Sequence, residues 1–260
     1  MNKARISHRY GCVPDRADSR DHLYGAPSRL LRALPPEVLL DGPPMYNQGQ
    51  AGSCTGQMVA RLHHMRQLQD QRAFVAQPSA RFAYYNTRAI RGRTGSDSGG
   101  SIRDAIKAAA ATGICEESIW PYSDKREAIV ARPSDAAFVD ASLRQVVAYQ
   151  RITPTLDQLR GCLADGNAFG FGFAVFPSFE SEETMRTGMA PMPTFWERIA
   201  RVLGWHAIVC SGYSDTCGRF RLDNSWGTTI GQSGRFWLPY DFLVDSLIAR
   251  DLWTIFTVEQ

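Results

Sequence analysis

The stretch Asn47-Gln48-Gly49-Gln50-Ala51-Gly52-Ser53-Cys54-Thr55-Gly56-Gln57-Met58-Val59-Ala60 combines a thiol, a side-chain amide and the start of a helix. Gly49 and Gly52 allow a tight approach loop, Ser53 is a favoured N-cap type, and Met58, Val59, Leu62, Met65 and Leu68 recur at helical spacing. The pattern predicts a helix with Cys54 in its first turn. Orphan N–H groups and the positive end of the macrodipole favour thiolate over thiol there, as a cysteine nucleophile requires near neutral pH. Gln48 lies on the approach loop. Its side-chain N–H and the backbone N–H of Cys54 together form a cradle for the oxygen of a tetrahedral intermediate. Such a site still lacks a base.

A cysteine taken alone is more often a small buried hydrophobe than a nucleophile. Two later β-type segments supply the missing partners: Gly204-Trp205-His206-Ala207-Ile208-Val209 brings an imidazole, and Leu222-Asp223-Asn224-Ser225-Trp226-Gly227 an amide to orient it. With these in view the chain resembles the papain family of cysteine peptidases, its bacterial members in particular. The resemblance rests on Gln48 to Cys54, on His206-Ala207, and on Asn224-Ser225-Trp226-Gly227 followed by Gly234-Arg235-Phe236-Trp237. Gly99-Gly100-Ser101-Ile102-Arg103-Asp104 and Ile119-Trp120-Pro121-Tyr122 add to it. The motifs occur in the family's order over roughly residues 40 to 245.

The resemblance implies catalytic roles for four residues. His206 takes the thiol proton, Cys54 attacks the carbonyl, His206 protonates the leaving amine and water releases the acyl group. Asn224 fixes the imidazole, Trp226 shields that hydrogen bond, and Gln48 serves the oxyanion. Gly99 and Gly100 are expected to pair with substrate backbone as an added strand. Many bacterial relatives have Gly where this chain has Trp205, beside the pocket for the side chain two before the cleaved bond. That indole either narrows the pocket, covers the dyad or packs outward. The same residues also suit acyl transfer to an amine, and an idle peptide-binding module is the reading from another class.

Composition sets outer bounds. With 260 residues, 44% hydrophobic and 21% charged, the chain is long enough to bury a sizeable core. A formal net charge of +3, with Lys and Arg spread along the chain, offers no electrostatic footprint for nucleic acid. The first thirty residues have no continuous apolar run and carry Lys3, Arg5, His8, Arg9, Asp15, Arg16, Asp18, Arg20 and Asp21. Neither a signal peptide nor a membrane span is expected, and the chain reads as cytoplasmic. That compartment favours reduced thiols for all six cysteines. Secreted papain relatives commonly carry a disulfide cysteine where this chain has Ala51. No cofactor or metal is expected, because no Cys-x-x-Cys or His-Glu-x-x-His pattern occurs.

The fold class expected is α+β, with a helical half (about 45–125), an antiparallel barrel-like half (about 142–250) and the active-site cleft between them. Strands are predicted at Gln145–Tyr149, Ala168–Val175, Ala207–Tyr213, Arg219–Asn224 and Arg235–Pro239, and Ala128–Ala141 as a surface connection. Residues 41–260 form the catalytic domain. Residues 1–40 read as a leader: a surface strap is the favoured expectation, a self-inhibitor lying in the cleft the alternative. Glu180, Glu182 and Glu183 read as a solvated loop face.

Overall fold

The computed structural model describes residues 9–70 and 75–258, so Lys3, Arg5 and His8 of the leader lie outside the described residues. The stretch that opens the site becomes the helix Cys54–Gln69, the central rod of the molecule. It is buried on nearly every side, with Cys54, Met58, Val59, Leu62 and Met65 at most 2% exposed, whereas Leu68 faces out. Its start differs from expectation. Ser53 makes no capping bond, because its hydroxyl is 2.6 Å from that of Tyr122 instead.

Helices Ala80–Ala89 and Ile102–Thr112 pack around this rod, each opened by a serine whose hydroxyl accepts from the third backbone N–H, Ser79 from Phe82 and Ser101 from Asp104. The segment 128–141 is more ordered than a surface connection. It holds the end of the short helix Arg126–Val130 and all of the helix Asp135–Ala141, and Ala137 and Ala141 are fully buried in the helical core.

Ten strands follow one another among the described residues. They are β1 (Cys12–Val13), β2 (Leu23–Tyr24), β3 (Glu37–Leu39), β4 (Gly100–Ser101), β5 (Val146–Ile152), β6 (Phe169–Val175), β7 (Gly204–Ser214), β8 (Arg219–Asp223), β9 (Arg235–Pro239) and β10 (Ala249–Val258). One sheet runs in the order β2-β5-β10-β6-β7-β8-β9, with β3 added on β7. The fold is α+β as expected, but the sheet is mixed and does not close: β2 pairs with β5 in parallel while the remaining pairs are antiparallel. Its inner face carries Phe169, Phe171 and Phe173 of β6, all fully buried.

β10 crosses the middle of this sheet, where the sequence pattern shows no strand. Arg250-Asp251 interrupts its apolar alternation, Asp251 adopts a positive φ of 56°, and the register with β6 shifts between Arg250 and Trp253. Helix and sheet are tied by a buried ion pair. Arg61 of the central helix donates to Asp223 at 2.8 and 3.1 Å and to the carbonyls of Pro43 and Pro44. Both side chains are at most 3% exposed. The pair holds the end of β8 against the helix, one residue before Asn224.

Candidate active site

Three elements converge at the N-terminal end of the central helix. β7 carries His206 and Ala207, the turn after β8 carries Asn224, Ser225 and Trp226, and the approach loop carries Gln48. His206 is fully buried, and its Nε2 lies 2.8 Å from Asn224 Oδ1. The same oxygen accepts the backbone N–H of Ser225 at 2.8 Å. Trp226, 5% exposed, lies over the imidazole with ring centroids 4.9 Å apart and planes 31° from parallel. Phe173 meets the ring edge-on at 5.7 Å.

Cys54 is fully buried. Burial raises its thiol pKa, and backbone N–H groups of Ala207, Gly11, Thr55 and Cys54 itself work in the other direction. At this helix start burial is the larger effect. With water excluded, desolvation outweighs the N–H groups and the thiol form is favoured.

Gln48 is fixed at both ends of its amide. Its Oε1 accepts the Ser225 hydroxyl at 2.7 Å, and its Nε2 donates to Ala51 O at 3.0 Å and Arg9 O at 3.3 Å. Its backbone is held as well, N–H to Ser225 O and carbonyl from the Tyr122 hydroxyl, both at 2.8 Å. No role for Ser225 or Tyr122 follows from their residue types alone. Ser225 stands between Asn224 and Trp226, so its place in that motif was the available signal. Asp97, in the glycine-rich loop, accepts from Gly52 N–H and from the Tyr84 hydroxyl, which bind the approach loop to the helical half.

The leader departs from the favoured expectation. Rather than lying as a strap on the surface, residues 9–13 run through the site. Gly11 and Cys12 are buried, and β1 pairs in parallel with β4, Cys12 opposite Gly100 and Val13 opposite Ser101. Gly100 N–H donates to Gly11 O at 2.9 Å. Gly99 has φ +73°, and a Cβ on it would lie 2.2 Å from Gly11 O, so only glycine permits this approach. Tyr10 sits beside His206 and Trp226, with centroids 6.0 and 6.3 Å away, and its hydroxyl donates to Glu180. Glu180 is therefore a leader contact and not part of a solvated face. Arg9 pairs with Asp97 at 2.9 Å.

Further along, Asp15 joins the leader to the body. It accepts from the Trp253 indole N–H and the Arg103 backbone N–H, both at 2.9 Å, and its own N–H donates to Asp251. Trp205 is half-buried, with the Arg250 guanidinium over its ring at 3.2 Å from the centroid. The other described core histidines have structural partners, His63 with Arg144 O and His64 with the Tyr46 hydroxyl. Among the described residues no cluster of three or more His, Cys, Asp or Glu is arranged to hold a metal, and no helix is long and apolar enough to cross a membrane. All six cysteines are free thiols.

A central helix with a cysteine at its start, facing a sheet that presents a histidine and an asparagine, defines the papain-like fold. This chain belongs to the papain family of cysteine peptidases. It is similar over its whole length to xylellain, a cysteine protease from Xylella fastidiosa, with a TM-score of 0.92, 36% identity and 100% of both chains covered. It is also similar to an uncharacterized peptidase C1-like protein of Acanthamoeba polyphaga mimivirus, 29% identical over 282 residues, which span 98% of this chain and 89% of that protein. The proCathepsin B S9 structure from Trypanosoma congolense shares the fold at a TM-score of 0.74 and 15% identity, over 97% of this chain and 87% of that one. No protein-family model matches the chain.

Proposed function

We propose that the chain hydrolyses internal peptide bonds through an acyl-enzyme on Cys54, and that residues 9–13 hold it closed until they leave the cleft. The observation that carries the first part is the Asn224 Oδ1 bond to His206 at 2.8 Å, on a strand whose next residue, Ala207, directs its N–H at the Cys54 sulfur. With Nε2 fixed by Asn224, the other ring nitrogen is the one available to the thiol. It takes the thiol proton, and the thiolate attacks the substrate carbonyl. The developing oxyanion is held by Gln48 Nε2 and the backbone N–H of Cys54, donors already oriented before reaction. The imidazolium returns its proton to the leaving amine, and water then releases the acyl group.

The leader's polarity supports the second part. In a productive complex the leaving amine must lie beside His206, so the acyl portion extends toward Gly99 and Gly100. The leader runs the opposite way, from Tyr10 at His206 to Cys12 at Gly100. It therefore sets the Gly11 N–H, not a carbonyl carbon, against the sulfur. An N–H donor offers nothing to attack. Residues 1–40 are accordingly a leader and 41–260 the catalytic unit.

Cys54→Ala is expected to abolish cleavage of a fluorogenic dipeptide amide, and an epoxide-type thiol reagent to label the wild type at Cys54. Full activity in Cys54→Ala would discard the mechanism. Product analysis with an added amine separates hydrolysis from acyl transfer, and absence of any turnover by a leader-less chain would favour a peptide-binding module.

A further inference from the structure

The leader brings a second thiol to the site. Cys12 is 9% exposed and belongs to the same apolar cluster as Cys54. Both sulfurs approach one rung of the sheet. A Cβ on Gly172 would lie 3.1 Å from the Cys12 sulfur, Gly172 is paired with Ala207, and Ala207 directs its N–H at the Cys54 sulfur. The two sulfurs therefore flank the same β6–β7 rung, Cys12 on the Gly172 side and Cys54 on the Ala207 side. The residue before Cys12 is Gly11, whose N–H reaches the Cys54 sulfur. After burial, ionisation of Cys54 is the next cause that opposes ionisation of Cys12.

We propose that Cys12 is a resolving cysteine that captures oxidised Cys54 as a reversible Cys12–Cys54 disulfide, a redox lock that fastens the leader in the cleft. The proposal rests on the reading of Cys54 as the reactive thiol. Hydrogen peroxide is the oxidant. When the leader lifts, the Cys54 thiolate attacks one peroxide oxygen, an S–O bond forms, the O–O bond breaks, and the departing hydroxide is protonated to water. The leader then returns with Cys12 tethered at high effective concentration. The Cys12 sulfur attacks the Cys54 sulfur, the S–S bond forms, the S–O bond breaks, and hydroxide leaves as water with the Cys12 proton. Two thiols and one peroxide give one disulfide and two waters. Cys54 is thereby kept from the irreversible sulfinic state, and a small thiol reductant restores both residues.

The test uses the full chain treated with graded hydrogen peroxide, then alkylated and digested with trypsin without reduction. The expected product joins the peptide Tyr10–Arg16 to the peptide Ala33–Arg61, and dithiothreitol separates the two. Iodoacetamide labelling of Cys54 should be lost on oxidation and fully regained after reduction in the wild type, and not regained in Cys12→Ser, where Cys54 proceeds to sulfinic acid. Cys217→Ser, which removes an exposed thiol, should keep the cross-link. Sulfinic acid on wild-type Cys54 with no joined peptides would overturn the proposal, as would a cross-link from Cys54 to any other cysteine. Peptide cleavage is scored separately, on the reduced full chain and on a reduced chain beginning at Pro14, and counts as absent only if both fail to cleave. A cross-link without cleavage defeats the peptidase mechanism alone, and cleavage without a cross-link defeats the disulfide alone.

Discussion

Gly11→Ala tests the closed leader without touching the catalytic unit. A Cβ at position 11 would lie 1.8 Å from Gly52 O, where ordinary contact begins at 3.4 Å, so the two backbones must separate by about 1.6 Å. The Gly100 N–H bond to Gly11 O, now 2.9 Å, then passes beyond hydrogen-bond range. The contact of Gly11 N–H with the Cys54 sulfur goes with it. Two hydrogen bonds at about 1 kcal/mol each, with about 1 kcal/mol of Tyr10 packing lost as the strand tilts, total about 3 kcal/mol. At about 1.4 kcal/mol per decade the docked-to-undocked ratio falls on the order of 100-fold. The assay is kcat/KM on a fluorogenic peptide for wild type, Gly11→Ala and a chain beginning at Pro14. Gly11→Ala should rise toward the truncated chain, which sets the ceiling. If the truncated chain is fast and Gly11→Ala stays as slow as wild type, the steric reasoning fails. If all three are equal, the leader does not inhibit.

Removing the leader readmits water to Cys54, so the pH midpoint for iodoacetamide labelling should be lower in the chain beginning at Pro14 than in the full chain; burial is the largest cause of the raised thiol pKa. Ser225→Ala frees one end of the Gln48 amide, and kcat is expected to fall about tenfold with KM little changed. Asp223→Ala leaves Arg61 charged and buried without its partner, and chemical denaturation should show a loss of about 3–5 kcal/mol. Burial and then the neighbouring Asp251 carboxylate raise the Asp15 pKa, opposed by the Arg103 backbone N–H, the Trp253 indole and the Arg103 charge. The docked leader thus holds this proton more tightly than the free leader. The contribution of Asp15 to docking is full below its free pKa and fades as pH rises through the raised one. Asp15→Asn should flatten that part of the cleavage profile of the full chain, and an unchanged acid limb would refute the assignment.

Much of this molecule is legible in one dimension because the relevant signals are local. The glycine loop before Cys54, the periodicity from Met58 to Met65, and the strand texture around His206 and Arg219 each depend on neighbours within a turn or two. Side-chain chemistry nominated Gln48, Cys54, His206 and Asn224 for the same reason: few residue types perform acyl transfer, and their flanking motifs stand in the chain. β10 escaped because Arg250 and Asp251 break its alternation, and only pairing with β5 and β6 makes it a strand.

What tertiary structure alone decided is where residues 9–13 lie and which charge state Cys54 prefers. Nothing in Arg9-Tyr10-Gly11-Cys12-Val13 marks it as an occupant of the cleft. Its binding depends on Gly99, Gly100, Glu180 and Asp97, all distant in sequence, and on a backbone approach that a side chain at Gly11 would forbid. The preference of Cys54 for its thiol likewise follows from enclosure by β7 and the leader. A helix start is written locally, whereas desolvation belongs to everything packed around an atom, so the chain order names the candidate groups and the packing sets the charge state of Cys54.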